Sequence, residues 1–172
     1  MKKLLTLLLL FPAALLAQEG QKAQDQIMGL VGFYAERVSQ LAEAIPEDKY
    51  SYKPSDKVRT AGEAVMHVAS ANYWLSMKMG AELPAEIDLM TYEKSVTGKE
   101  NIKAALAKSY EFLMASARAV PDDQLLDAVE FPGGMPMNKR GVMLVALSHV
   151  SEHMGQLIAY ARANEVVPPW SE

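Results

Sequence analysis

LVALSHVSEHMGQLIAYAR, residues 144–162, is the stretch that decides the fold. At about 100° per residue, Val142, Val145, Ala146, Gln156 and Tyr160 all lie within about 60° of His149, and His153 lies about 40° from it. The two histidines therefore sit in the middle of the apolar, inward-facing stripe of one long helix. Asn138 precedes that helix as a good N-cap. The paired prolines of VVPPW (166–170) cannot continue it beyond about Asn164.

Three more segments share the helical periodicity, and none shows a sustained period of two. From about Gln21 to Ile45 the stripe is Ile27, Val31, Tyr34, Val38, Leu41 and Ile45, ended by Pro46. A second helix begins at TAGE (60–63), which has the spacing of a capping box, and stops at Gly80. The third begins at TGKE (97–100), with the same spacing. It turns Ile102, Leu106, Leu113 and Val120 inward and ends at Pro121. Four helices of about 20 residues and no strands predict an all-α four-helix bundle. The connection Ala81–Val96 can span a helix length of about 30 Å, so the second and third helices can run parallel through a crossover.

The chain has 172 residues, half of them hydrophobic, which suffices for one domain with a real core. Residues 1–17 read as a secretory signal: Lys2 and Lys3 form a positive start, Leu4 to Leu16 an apolar run, and Ala17 a cleavage edge before Gln18. The mature domain is then 18–172, in the periplasm or secreted, with no stable membrane association after cleavage. Setting Lys2 and Lys3 aside leaves 15 of the 17 basic residues against 21 acidic ones. An acidic surface without a basic block argues against nucleic acid as a partner. There is no cysteine, so a metal site would use nitrogen and oxygen ligands.

His149 and His153, four apart on one face, can reach a single ion at about 2.0–2.1 Å, but two ligands do not make a stable site. The only other histidine, His67, faces inward near the middle of the second helix. Small residues around it and its counterparts (Ala64, Ser70, Ala71, Ala146) let the two backbones approach. Three buried imidazoles without partners would cost several kcal/mol in total, and a shared cation removes that cost. His67, His149 and His153 are thus the candidate ligands of a divalent metal. Three imidazoles plus water suit zinc, with nickel, iron or manganese as the other choices. Such a site leaves a position open for chemistry.

Glu63 carries two readings: member of the capping box, or carboxylate one turn before His67 that orients a ligand or takes a proton. Trp74, Gln156 and Tyr160, with Tyr73, are candidates for lining a cavity. HVSEH also fits the inverted metalloprotease pattern, but only 19 residues follow His153 and His67 already offers a third ligand. Glu152 is then a solvated or outer carboxylate.

YSYKPSDKVRTAGEAVMHVASANYWL (50–75) and LSHVSEHMGQLIAYAR (147–162) together resemble the DinB-like superfamily, which includes thiol transferases of the YfiT type. The resemblance covers essentially the mature chain. It implies an up-down-down-up bundle and a metal triad at His67, His149 and His153. It further implies a divalent metal such as zinc or nickel, and a homodimer. The open three-histidine site, where a bound metal would activate water, makes a metal-dependent hydrolase acting on a small molecule the leading expectation. The alternatives are a non-catalytic metal or ligand-binding module, or a thiol S-transferase, which the export signal disfavours because thiol cofactors are mainly cytosolic.

Overall fold

The structure is a computed structural model that describes the backbone of residues 2–171 and the side chains of residues 23–171. The side chains on which the export expectation rests, in residues 1–17, lie outside the described residues. The elements in chain order are α1 (Lys2–Ala44), α2 (Ala61–Lys78), the short α3 (Tyr92–Ser95), α4 (Lys99–Ala119), strands β1 (Ala128–Val129) and β2 (Met137–Asn138), and α5 (Lys139–Ala163). Single 3-10 turns at Glu47–Lys49, Asp122–Gln124 and Pro132–Gly134 fill the connections. Among the described residues no helix is long and apolar enough to cross a membrane.

The four long helices pack side by side. Helix α2 lies chiefly on α4 and α1 on α5, while α2–α5 and α1–α4 contacts close the ring. The stripes meet inside: Val31, Val38, Leu41 and Ile45 from α1 and its end, Val65 and Leu75 from α2, Leu106 and Leu113 from α4, Val142 and Leu157 from α5, all essentially without solvent exposure. Ile27 and Tyr34 are only half-buried at the edge. Polar links cross the core: Asn72 Nδ2 on α2 donates to Ser109 Oγ on α4 at 3.0 Å, and Gln24 Nε2 on α1 donates to the Ala117 carbonyl on α4. Buried groups of this kind are tolerated when paired.

Each helix end has a local cause. Thr60 Oγ1 accepts from the Glu63 amide at 3.2 Å, and the Glu63 carboxylate accepts from the Thr60 amide at 2.8 Å, the reciprocal pair that TAGE foretold. Asn138 Oδ1 accepts from the Gly141 amide at 2.8 Å and starts α5. The second expected capping box, TGKE, does not form. Gly98 occupies the N-cap position of α4 at φ 82°, and no side chain caps the helix. Glycine alone takes that backbone cheaply, which turns the Thr97 hydroxyl out of register with the Glu100 amide. Glu100 pairs with Lys103 instead, at 3.0 Å. Lys99, the first residue of α4, reaches back to the carbonyls of Glu43 (2.6 Å) and Ile45 (3.0 Å) at the end of α1. A cation there meets the negative end of the helix dipole and ties α4 to α1.

Two differences from the sequence expectation matter for the site. First, a two-residue antiparallel ladder pairs Ala128 with Asn138 and Val129 with Met137, so strands are not wholly absent. Two residues are too few to show an alternating pattern. Second, the Ala81–Val96 connection is not a plain tether, because it contains α3, which leans against α2.

Candidate metal centre

His67 projects from the middle of α2 and His149 and His153 from the middle of α5. Between them the helices carry small side chains, with Ala64 and Ala146 fully covered, so the backbones come close enough for the rings to meet. The structure brings all three imidazoles together. Ring centroids are 5.1 Å apart for His67–His149, 4.8 Å for His67–His153 and 4.4 Å for His149–His153. One nitrogen from each ring lies within 4.8 Å of the others, a grouping that can hold a metal ion. The Nε2 atoms of His67 and His149 are 3.2 Å apart. Nitrogens bound to one tetrahedral ion at about 2.0–2.1 Å stand roughly 3.3 Å from each other, so this spacing needs little adjustment.

The outer nitrogens are committed elsewhere. His67 Nδ1 donates to Glu93 Oε2 at 2.8 Å, and His153 Nδ1 donates to Gln156 Oε1 at 2.8 Å. Each of these bonds places the ring proton on Nδ1 and leaves Nε2 as a lone-pair donor, the tautomer a metal requires. The supports continue outward. Gln156 Nε2 donates to the Tyr160 hydroxyl at 2.9 Å, and Tyr160 donates to the main-chain carbonyl of Arg59 at 3.1 Å. The Arg59 guanidinium in turn holds Glu93, through Nε to Oε1 and through Nη2 to Oε2 at 3.3 Å. The chain of bonds thus runs from His67 through Glu93, Arg59, Tyr160 and Gln156 to His153.

The electrostatics agree with neutral, ligand-ready rings at His149 and His153. Burial, with the nearby His153, His67 and Arg59 charges, pushes the His149 imidazole down to about 3. Burial also lowers His153, against the hydrogen bond to Gln156. For Glu93, burial raises the carboxyl, but the hydrogen bonds from Arg59 and His67 outweigh it and hold the group below its ordinary value. Glu93 is therefore an anion at neutral pH.

Beside His67 and His149 opens a cavity of about 340 Å³. Ala71, Trp74, Leu75, Leu89 and Val145 form most of its wall, with Ser70 and Glu93 as further polar members. Trp74 is fixed from behind by Phe131, whose ring meets it edge-on at 5.3 Å, and by Lys78 Nζ 5.5 Å from the indole.

Of the other residues singled out in the sequence, Trp74 lines this cavity, whereas Gln156 and Tyr160 stand behind His153 as its supports. Tyr73 is buried against Tyr92 and Phe112. Glu63 has its carboxylate in the capping box, and it faces two separate surface clefts and not the histidine cavity. Glu152 is exposed. The carboxylate that does touch a candidate ligand histidine is Glu93, which sequence reasoning passed over together with Arg59. The available signal was the length of the Ala81–Val96 connection, since loops beyond about 12–15 residues are usually functional.

The DinB superfamily matches residues 34–157 of the chain. The chain is 28% identical over 127 residues to the uncharacterised protein YjoA of Bacillus subtilis, covering 72% of this chain and 79% of that one. Among solved structures, the B. subtilis YjoA crystal structure superimposes with a TM-score of 0.65 at 22% identity, over 83% of this chain and 93% of that one. A DinB-like protein from Bacillus cereus gives 0.69 at 17% identity, over 80% and 90%. A mycothiol-dependent maleylpyruvate isomerase gives 0.65 at 13% identity, over 78% of this chain and 60% of its own. At such identities these structures show likeness of fold alone.

Proposed function

The chain belongs to the DinB superfamily, and on that premise we propose that it is an exported, metal-dependent hydrolase of a small molecule. The observation that carries this reading is the convergence of three imidazoles, two with their outer nitrogens already tied off, beside a cavity that His67 and His149 line. His67, His149 and His153 would hold a divalent ion, zinc or nickel before iron or manganese, because three nitrogen donors with no thiolate suit those metals. An ion so held supplies Lewis acidity and lowers the pKa of a coordinated water to about 7.

The chain's own residues do the rest. Glu93 and Gln156 fix the orientation and tautomer of His67 and His153, Arg59 keeps Glu93 ionised, and the apolar wall offers a surface for the non-polar part of the bound molecule. In this reading Glu63 serves the helix terminus and Glu93 the metal centre. We also read the fold as the up-down-down-up bundle. The support is the ring of contacts together with a connection long enough to return the chain along α2 before α4 begins. The positive start and apolar run of residues 1–17 support export to the periplasm.

The test is zinc stoichiometry and hydrolysis of ester, amide and phosphoester libraries by the metal-loaded protein. His67→Ala should abolish tight zinc binding and lower turnover by at least a hundredfold. Turnover that survives the loss of the ion would remove the mechanism.

A further inference from the structure

We propose that the molecule recognised at this centre is uncharged, with a polar head that faces the histidines and a compact apolar acyl or aryl group that fills the cavity against Trp74. The inference rests on the reading of the histidines as a metal site and adds the class of ligand.

Three observations converge on it. Size comes first: about 340 Å³ falls at the small end of ligand cavities, room for on the order of ten non-hydrogen atoms. Chemistry comes second: the wall is made by Ala71, Trp74, Leu75, Leu89 and Val145, and neither a lysine nor an arginine is among the residues that line it. The one ion facing the cavity is the Glu93 carboxylate, whose cationic partner Arg59 approaches it from outside. A carboxylate or phosphate tail at the Trp74 end would find no lysine or arginine among the described lining residues, and burial there without such a partner disfavours it. Polarity comes third: Trp74 stands about two turns beyond His67 on α2, with Ser70 between them, so a ligand whose apolar end lies against Trp74 places its head at the imidazoles.

Trp74 also makes the proposal measurable. The chain has two tryptophans, and the other, Trp170, stacks on Arg37 of α1 and lines no part of this cavity. In a Trp170→Phe background, emission reports Trp74 alone. The probes are straight-chain hydroxamates from acetohydroxamate to octanohydroxamate on zinc-loaded protein, and straight-chain alkanols on zinc-free protein.

Affinity for hydroxamates should rise about fourfold per methylene until the cavity is full, with a progressive change in Trp74 emission. Ala71→Leu should end that rise at least two carbons earlier. A flat dependence on chain length, or one that Ala71→Leu does not shorten, overturns the proposal while leaving the metal site standing. If the protein takes up no zinc, the metal reading fails, and the alkanols decide the cavity. The same graded response, truncated by Ala71→Leu, upholds the apolar subsite, and a flat response removes it.

Discussion

A carboxylate on the outer nitrogen of a ligand imidazole does two things: it selects the tautomer and it makes the inner nitrogen a better donor. Glu93 is placed to do both for His67, and removal of such a support typically costs 10–100-fold in metal affinity. Glu93→Gln should therefore weaken zinc binding by about that factor in a chelator competition, while Glu63→Gln should leave it unchanged. A second consequence concerns His149. In the unfolded chain its imidazole protonates near 6.5, but in the folded, metal-free protein it stays neutral down to about 3. Between those values the unfolded state binds more protons, so stability is full above about pH 6.5 and falls as pH drops. Urea denaturation of metal-stripped protein should show a loss on the order of 1–2 kcal/mol from this group between pH 7 and 5, absent in His149→Asn. His149 and His153 were legible from spacing, because helical periodicity places i and i+4 on one face, and His67 from its inward position on a second helix. Glu93 and Arg59 were not, since neither lies on a periodic element and their meeting depends on how the chain folds between helices.

Helix boundaries show where local rules decide and where they are overridden. TAGE and TGKE have the same spacing, yet one caps its helix and the other does not. Spacing describes side chains that can reach each other, whereas capping also requires the first residue to sit in the extended region, and Gly98 at φ 82° takes the position away from Thr97. Thr60→Ala should accordingly lower stability by about 1 kcal/mol in chemical denaturation, and Thr97→Ala by no more than a few tenths. The ladder from β1 to β2 has a use that its length conceals. It closes the turn carrying Phe131, and Phe131 backs Trp74. The two-residue strands left no trace in the sequence because period two needs at least four residues to be recognised.

At the scale of the molecule, the bundle's core was readable in advance: Val31, Val38, Leu41, Leu106 and Leu113 all point where their spacing said they would. Which helices would be neighbours was less so, as periodicity identifies an inward face but not what it faces. The candidate ligands come from α2 and α5, so an ion held by them would link two helices that touch each other less than α2 touches α4 or α1 touches α5. Zinc should stabilise the folded state by about 4 kcal/mol when present at a thousand times its dissociation constant. Thermal unfolding with and without EDTA measures this, and the zinc-dependent rise should vanish in the His67→Ala, His153→Ala double variant.

Arg59 enters the network twice, through its guanidinium to Glu93 and through its main-chain oxygen to Tyr160. Substituting the side chain can sever only the first of these attachments, since every amino acid brings a carbonyl. The connector from Pro46 to Thr60 is therefore constrained in length more tightly than in composition. Deleting a single residue there would drag both anchorages out of place at once, a lesion that no point substitution at position 59 can reproduce.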